Sequence, residues 1–368
     1  MSVLPKAGVI ACLLLSICVV NADAQASALA VPFELARHAE RNNGKTRCAE
    51  AIPSPVKTLD LSSIYEEDDE SHSTIDAKNK QRYDAAIAET RRFAAFVTKL
   101  ASNYTQTDGN RIDAAACTLK ALDAWAKANA LSDLKSRQSY LSVTRIIAAA
   151  AIAYIQVQPA AEVLRMDTRA IDNWLIKLAD RTVPVFTDSG DRTSNKQNHR
   201  YWGGFAVAAV GVATGRKEFL EFGFESYKLG ACQVTAEGAL PLELARRKKA
   251  RDYHLHAVAP LVMIASLAQS NGYDAFSICN NGLQRLVHFA LNAVNDPSEI
   301  EKLAGEKQVP LPRKKNGLVR SDRIAWLDAY LHYYPEDREK FGTFFDEPLF
   351  SASLGGRISA LYNLSQRN

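Results

Sequence analysis

An amide, an imidazole and a guanidinium follow one another at Asn198, His199 and Arg200, with Tyr201, Trp202, Gly203 and Gly204 directly after. The stretch leaves a polar loop and opens an apolar run that reads as a helix. Backbone N–H groups point outward at such a helix start, so the polar side chains would stand on an anion site. Tyr201 and Trp202 would add an apolar platform for a sugar ring. The plain alternative is an N-cap asparagine beside a structural histidine. A second stretch, residues 242–254, carries Arg246, Arg247, Lys248, Lys249 and Arg251 ahead of Tyr253 and His254. If it is helical, Arg246 and Tyr253 lie two turns apart on one face. A cation near a tyrosine favours the phenolate, which equips Tyr253 to move a proton. The plain alternative is a solvated basic face. His254 and His256 have the spacing to share a metal ion, but no carboxylate cluster supports that reading, and neither C-x-x-C nor H-E-x-x-H occurs. P-loop, Rossmann and G-x-S-x-G signatures are likewise missing.

Helices must position these residues. From Asp76, a plausible N-cap, the pattern is helical nearly throughout, over 76–104, 113–130, 138–156, 167–186, 199–214, 217–233, 242–253, 260–270, 282–294 and 324–334. The breaks carry turn chemistry, such as Thr214-Gly215 and Asn271-Gly272. Similar amphipathic helices joined by short connectors predict an all-α domain, a bundle or a toroid. Two regions read as irregular. Residues 25–75 form an extended arm with the acidic run Glu66 to Glu70. Residues 298–322 form a polar, basic loop with Arg313, Lys314 and Lys315.

The 368 residues have ordinary globular composition, with 45 Lys+Arg against 41 Asp+Glu. That balance is too even to announce nucleic acid but suits an acidic substrate if the charge is clustered. Lys6, the apolar run from Ala7 to Val20 and Ala22-Asp23-Ala24 read as a signal peptide over residues 1–24. The mature chain is then exported, with no membrane insertion and with Cys48, Cys117, Cys232 and Cys279 free to pair in any of three ways.

Asn198-His199 with Tyr201-Trp202, then Leu240-Pro241, Glu243-Leu244, Arg246-Arg247 and Tyr253-His254, resembles the family 5 polysaccharide lyases, the periplasmic alginate lyases. Cys117-Thr118-Leu119, Leu122 to Ala126, Ile64-Tyr65-Glu66, Ser73-Thr74 and Leu354-Gly355-Gly356 agree. The resemblance implies an incomplete α/α toroid over residues 76–368, with a deep cleft and a lid within residues 25–75. It implies action on an acidic polysaccharide by β-elimination, with no cofactor and no metal; the chain itself is expected to be a monomer. Asn198, His199 and Arg246 would neutralise the uronate carboxylate. Tyr253 would take the C5 proton and protonate O4, and His199 is the alternative base for the opposite C5 configuration. Tyr65, Gln138, Arg200, Tyr201, Trp202 and His254 would bind substrate, and Cys48 would pair with Cys117.

Two positions depart from the family pattern. Ile64 stands where alginate-specific relatives carry lysine, and Ser353 where many carry arginine. Arg200, Arg313, Lys314 and Lys315 are the candidates to restore that charge. β-D-Mannuronate polymer is the first expectation for substrate. Polyglucuronate or a broad polyuronate range is the second, and a non-catalytic polyanion-binding protein the third.

Overall fold

A computed structural model of the chain describes residues 1–2, 29–33, 35, 48–106, 111–188, 190–346 and 348–362. The proposed signal segment lies almost wholly outside the described residues.

The helices fall into two concentric layers. The inner layer is α1 (Ala77–Thr105), α3 (Arg137–Leu164), α5 (Asn198–Thr214) and α8 (Ala250–Gln269), each packed on the next. The outer layer is α2 (Arg111–Lys127), α4 (Arg169–Thr187), α6 (Lys217–Cys232) and α9 (Ile278–Asn295), packed against the inner helices from outside. Inner helices are covered on two sides, so their apolar residues run round the whole surface. The run from Ala148 to Tyr154 in α3 is fully buried, as is that from Phe205 to Val210 in α5. By length and composition α3 is apolar enough to cross a bilayer, but 89% of its most apolar window is buried inside this fold. Small residues set the layer spacing. A Cβ on Gly223 of α6 would approach the Gly204 carbonyl oxygen of α5 to 2.8 Å.

The ring is incomplete between α8 and α1, and the C-terminal segment fills the gap. Gly355 and Gly356 enter it at φ 104° and 121°. A Cβ on Gly355 would overlap Ile152 of α3, and one on Gly356 would overlap Ser102 of α1. Only glycine fits there on both steric and dihedral grounds. Gln156 donates to the Gly355 carbonyl at 2.8 Å, which ties the plug to α3.

Asp76 caps α1 as expected, accepting from the Asn79 amide at 2.6 Å. Other boundaries moved. The helix expected over 242–253 is broken into α7 (Pro241–Leu244) and a 3-10 turn at Arg247–Lys249, with Arg247 left-handed at φ 51°. α8 starts ten residues before the expected 260 and passes through Pro260. Pro260 has no N–H, so it leaves the His256 carbonyl free, and the Trp202 indole donates to that oxygen at 3.1 Å. Cys279, Asn280 and Asn281 are left-handed, so regular helix in α9 begins at Gly282. The basic loop contains a further helix, α10 (Ser298–Ala304).

The arm runs along the outer face. Trp125, stacked on Phe93, donates to the Pro53 carbonyl at 2.9 Å. Strand β1 (Thr58–Leu59) pairs in parallel with β2 (Asp133–Leu134). Cys48 is disulfide-bonded to Cys117 of α2, and Cys232 to Cys279. The first bridge closes a 69-residue separation, so its replacement by a serine pair should cost about 4 kcal/mol in the chain-entropy picture. Denaturant melts of the double variant should show that loss. An unchanged midpoint would mean that the arm is held by its backbone pairing alone.

Candidate active site

The start of α5, the α7–α8 junction and a hairpin of the arm meet at one end of the toroid. Asn198 is fully buried there. Its backbone N–H donates to Glu243 Oε1 at 2.9 Å, and its Nδ2 lies 3.1 and 3.0 Å from the two carboxylate oxygens. Glu243 of α7 thus caps the positive end of α5 from a different element. Burial raises the Glu243 pKa, while Arg246 and the Asn198 donors pull it down.

Arg246 and Tyr253 do meet, although no single helix joins them. The guanidinium carbon lies 4.2 Å from the Tyr253 ring centroid. Arg246 donates to the Gln197 side-chain oxygen at 3.2 Å and to the Ser71 carbonyl at 3.4 Å. Both acceptors are neutral, and no carboxylate among the described residues pairs with this buried guanidinium. Its charge is therefore available to an anionic ligand. The Tyr253 hydroxyl hydrogen-bonds the Tyr65 hydroxyl. Burial pushes the Tyr253 phenol well above its ordinary pKa, Tyr65 adds to that, and Arg246 acts in the opposite sense. The cation acts in the expected direction, but burial outweighs it, and Tyr253 is a neutral phenol in this geometry. His199 is also neutral, its pKa lowered to about 3 by burial and then by Arg246, Arg145 and Arg137.

The hairpin that brings Tyr65 here spans the acidic run. Tyr65 bridges Ile75, and the Glu66 amide donates to the Thr74 carbonyl at 3.2 Å. Asp69 is its hub, accepting from the amides of Ser71, Ser73 and Thr74 at 3.0, 2.8 and 2.5 Å. Lys248 donates to Thr74 Oγ1 at 3.0 Å, and the Lys249 ammonium lies 5.1 Å from the Tyr65 ring centroid. Hydrogen bonds, first that from Ser71, hold the Asp69 carboxyl far below its ordinary range. A depressed carboxylate stabilises the fold above its unfolded value of ~3.9 and loses that contribution as pH falls toward the folded pKa. Acidification below about pH 4 should therefore loosen the hairpin. Asp69→Asn should loosen it at neutral pH, seen as faster proteolytic nicking within 66–74 with global melting little changed. Equal nicking of both forms would assign the hairpin's order to Lys248 and Lys249 instead.

Several expected substrate contacts are placed elsewhere. His254 is fully buried, with Nδ1 donating to the Ala250 carbonyl at 2.7 Å and Nε2 accepting from the Leu240 amide at 2.9 Å. Both ring nitrogens are used, so it pins α7 to α8 and can neither bind substrate nor share a metal with His256. Tyr201 is buried between α5 and α6, its hydroxyl donating to the Lys196 carbonyl at 3.2 Å. Arg200 stacks at 4.2 Å on Phe222, and burial lowers its pKa to about 10. Both side chains leave the helix start toward the outer layer, where aromatic packing is gained. Of the basic segment, Arg247 pairs with Glu306 at 2.6 Å and Arg251 is buried, donating to the Val309 carbonyl at 2.7 Å. Arg246, Lys248 and Lys249 face the hairpin.

Beside this constellation lies a cavity of about 450 Å³ walled by Ser142, Arg145, Trp202, His256, Arg323 and Ser353, among others. Trp202, though buried, is thus the member of the aromatic pair that lines the cavity. Gln138 stands next to it, donating to Ser142 Oγ at 3.1 Å. None of Arg200, Arg313, Lys314 and Lys315 lines the cavity. Arg313 instead donates to Gly317 and Val294 carbonyls at 2.8 and 3.2 Å. Sequence reasoning missed Glu243 and Gln197 as site residues, and Arg145 and Arg323 altogether. A lone arginine ahead of the apolar run 146–155 was the available signal for Arg145.

Residues 60–300 match the family model described as alginate lyase. The chain is 32% identical over 328 residues to an alginate lyase of Pseudomonas syringae pv. syringae, covering 85% of this chain and 82% of that protein. It is 30% identical to an alginate lyase of Pseudomonas fluorescens, covering 95% of each. Among solved structures, alginate lyase A1-III in a histidine-to-alanine form complexed with tetrasaccharide superposes with TM-score 0.72, at 24% identity over 88% of each chain. The A1-III crystal structure from Sphingomonas species A1 gives TM-score 0.70, at 24% identity over 87% of this chain and 88% of that one.

Proposed function

Because this chain belongs to the alginate lyase family, we propose that it cleaves the β-D-mannuronate linkages of alginate by β-elimination, with Tyr253 as the proton-transfer residue. The observation that carries the reading is the Arg246–Tyr253 stack at 4.2 Å, with His199 and a glutamate-anchored Asn198 in the same recess. The C5 hydrogen of a uronate is α to a carboxylate, and negative charge there opposes carbanion formation. Arg246, the cation without a carboxylate partner, neutralises it, which lowers the barrier. His199 is neutral, so it contributes a directed hydrogen bond rather than charge. Asn198 sets the geometry through Glu243 and offers its amide beside them.

As the sugar enters, the Tyr253 phenol gives up its proton to solvent, and the phenolate then takes the C5 proton and hands it on to O4. The C5–H and C4–O4 bonds break, a C4=C5 double bond forms, and the phenolate is regenerated. One residue serves both steps because in mannuronate the proton and leaving group lie on the same face. A sugar entering between Tyr253 and Tyr65 takes away the contribution of Tyr65 that raises the Tyr253 pKa, leaving Arg246 to act against burial. The residues perform this elimination with their own acid–base and charged groups.

A broader polyuronate range is the second reading, favoured by Ile64 and Ser353. Ile64 packs on the Leu61, Tyr83 and Ile87 cluster and adds no charge. The two disulfides support export, and the resemblance supports a periplasmic enzyme, expected to act as a monomer. The test is the growth of ultraviolet absorbance from the unsaturated uronate end on polymannuronate, polyguluronate, polyglucuronate and hyaluronan. Fastest growth on polymannuronate is expected. Silence on all four polymers would favour a polyanion-binding protein over an enzyme.

A further inference from the structure

The cavity beside the Arg246–Tyr253 pair carries charge that the elimination step does not use. It lies one turn along α8 from Tyr253, whose ring is 6.3 Å from that of His256, a cavity-lining residue. Three cations border it, Arg91, Arg145 and Arg323, and one acid, Asp322. Most of these charges are already paired. Arg91 meets Asp84 at 2.8 Å, Arg323 meets Asp252 at 3.4 Å, and Asp322 accepts from Arg320 Nε at 3.0 Å. Arg145 has neither an ion pair nor a hydrogen bond among the described residues. It is half-buried on α3, and Val143, Thr144, Ile146 and Ile147 around it are buried. A guanidinium taken partly out of water with no counter-charge is costly, and an anionic ligand offsets that cost.

We propose that Arg145 is a second carboxylate-binding cation of this enzyme, holding the uronate next to the one on which Tyr253 acts. The inference rests on the polyuronate reading and extends it along the chain of the substrate. A polyuronate carries one carboxylate per sugar, so a ligand that places one carboxylate on Arg246 must place another nearby. The guanidinium fork matches a carboxylate with two parallel hydrogen bonds. Trp202, held by its indole bond to the His256 carbonyl, gives the adjoining sugar a flat apolar wall. The influence of Arg145 reaches His199, His256 and Tyr65, which places its charge on the cleft side of α3. Ser353 lines the same cavity and brings no charge to it, which leaves that side of the space to Arg145.

The experiment compares the wild type with Arg145→Met, which keeps length and apolar stem, and Arg145→Lys, which keeps charge. On polymannuronate, Arg145→Met should raise KM at least about tenfold, as for loss of a charged hydrogen bond, with kcat within about threefold. Arg145→Lys should recover part of the loss. Calorimetry with mannuronate tetramer should show the same ranking of affinities. A carboxyl-reduced, uncharged tetramer should bind wild type and Arg145→Met alike. Equal tetramer affinity in folded wild type and Arg145→Met would overturn the proposal, as would an equal loss for the uncharged tetramer, which would mark a structural role. If the wild type cleaved no polyuronate, the lyase reading would fall, and the tetramer comparison would still decide the role of Arg145.

Discussion

Tyr253→Phe should abolish most turnover while leaving the polymer bound. The substitution removes one oxygen and keeps the ring on which Arg246 stacks at 4.2 Å, so the α7–α8 junction retains its packing. On the proposed mechanism, what is lost is the group that takes the C5 proton and passes it to O4. General acid–base catalysis contributes typically 10²–10⁴-fold, and kcat should fall by at least about that much. KM and tetramer affinity should move little, because the carboxylate contacts of Arg246 and His199 remain. Tyr65→Phe provides the control. It removes the hydroxyl partner of Tyr253 but no proton-transfer group, so its loss of kcat should be much smaller. If folded Tyr253→Phe turned over polymannuronate at near wild-type rate, His199 would become the leading base. A neutral imidazole with a pKa lowered to about 3 is already in the protonation state that role requires.

Arg246→Ala should damage both chemistry and stability. The substrate carboxylate loses its counter-charge, and kcat/KM should fall about 10²–10³-fold, the scale seen when one preorganised stabilising group is removed. The protein itself also depends on this cation. Burial raises the Glu243 pKa, and Arg246 is the first contribution that opposes the shift. Without Arg246 the folded-state pKa of Glu243 climbs further above its unfolded value. A raised carboxyl pKa stabilises the fold only while the group is protonated, and that contribution is lost as pH rises through the folded pKa. The melting-temperature gap between wild type and Arg246→Ala should therefore widen from about pH 5 to pH 8. Arg246→Lys should narrow the gap while recovering little activity, because a point charge lacks the planar fork that stacks on Tyr253. A gap independent of pH would mean that Glu243 and Arg246 are not electrostatically linked.

How much of this site was legible in advance differs residue by residue. The Arg246–Tyr253 pairing was read from a two-turn spacing and is correct, yet the path is not a single helix. A left-handed Arg247 and a 3-10 turn deliver the same encounter. Trp202, buried but lining the cavity, was half of an aromatic pair whose other member, Tyr201, packs away from it. Neighbouring positions on a helix point about 100° apart, so one of the two had to leave the cleft, and composition does not say which. Glu243 looked like an unremarkable helix acid. Its role appears only when α7 is laid against the start of α5, 45 residues away in sequence.

The amino-acid sequence by itself determined most of the long helices and their order, because caps, turn residues and apolar periodicity act within a few residues. It also determined which residue types could neutralise a carboxylate and move a proton. Tertiary structure decided which face of each inner helix meets the cleft. α3, α5 and α8 are apolar nearly all round, since they are packed from both sides, so periodicity carries no sign of direction. Arg200 turned to Phe222, His254 turned to the Leu240 amide, and Arg145 turned to the cavity. Each side chain follows the partner that a distant helix presents, and that partner is set by the packing of the two layers rather than by local sequence.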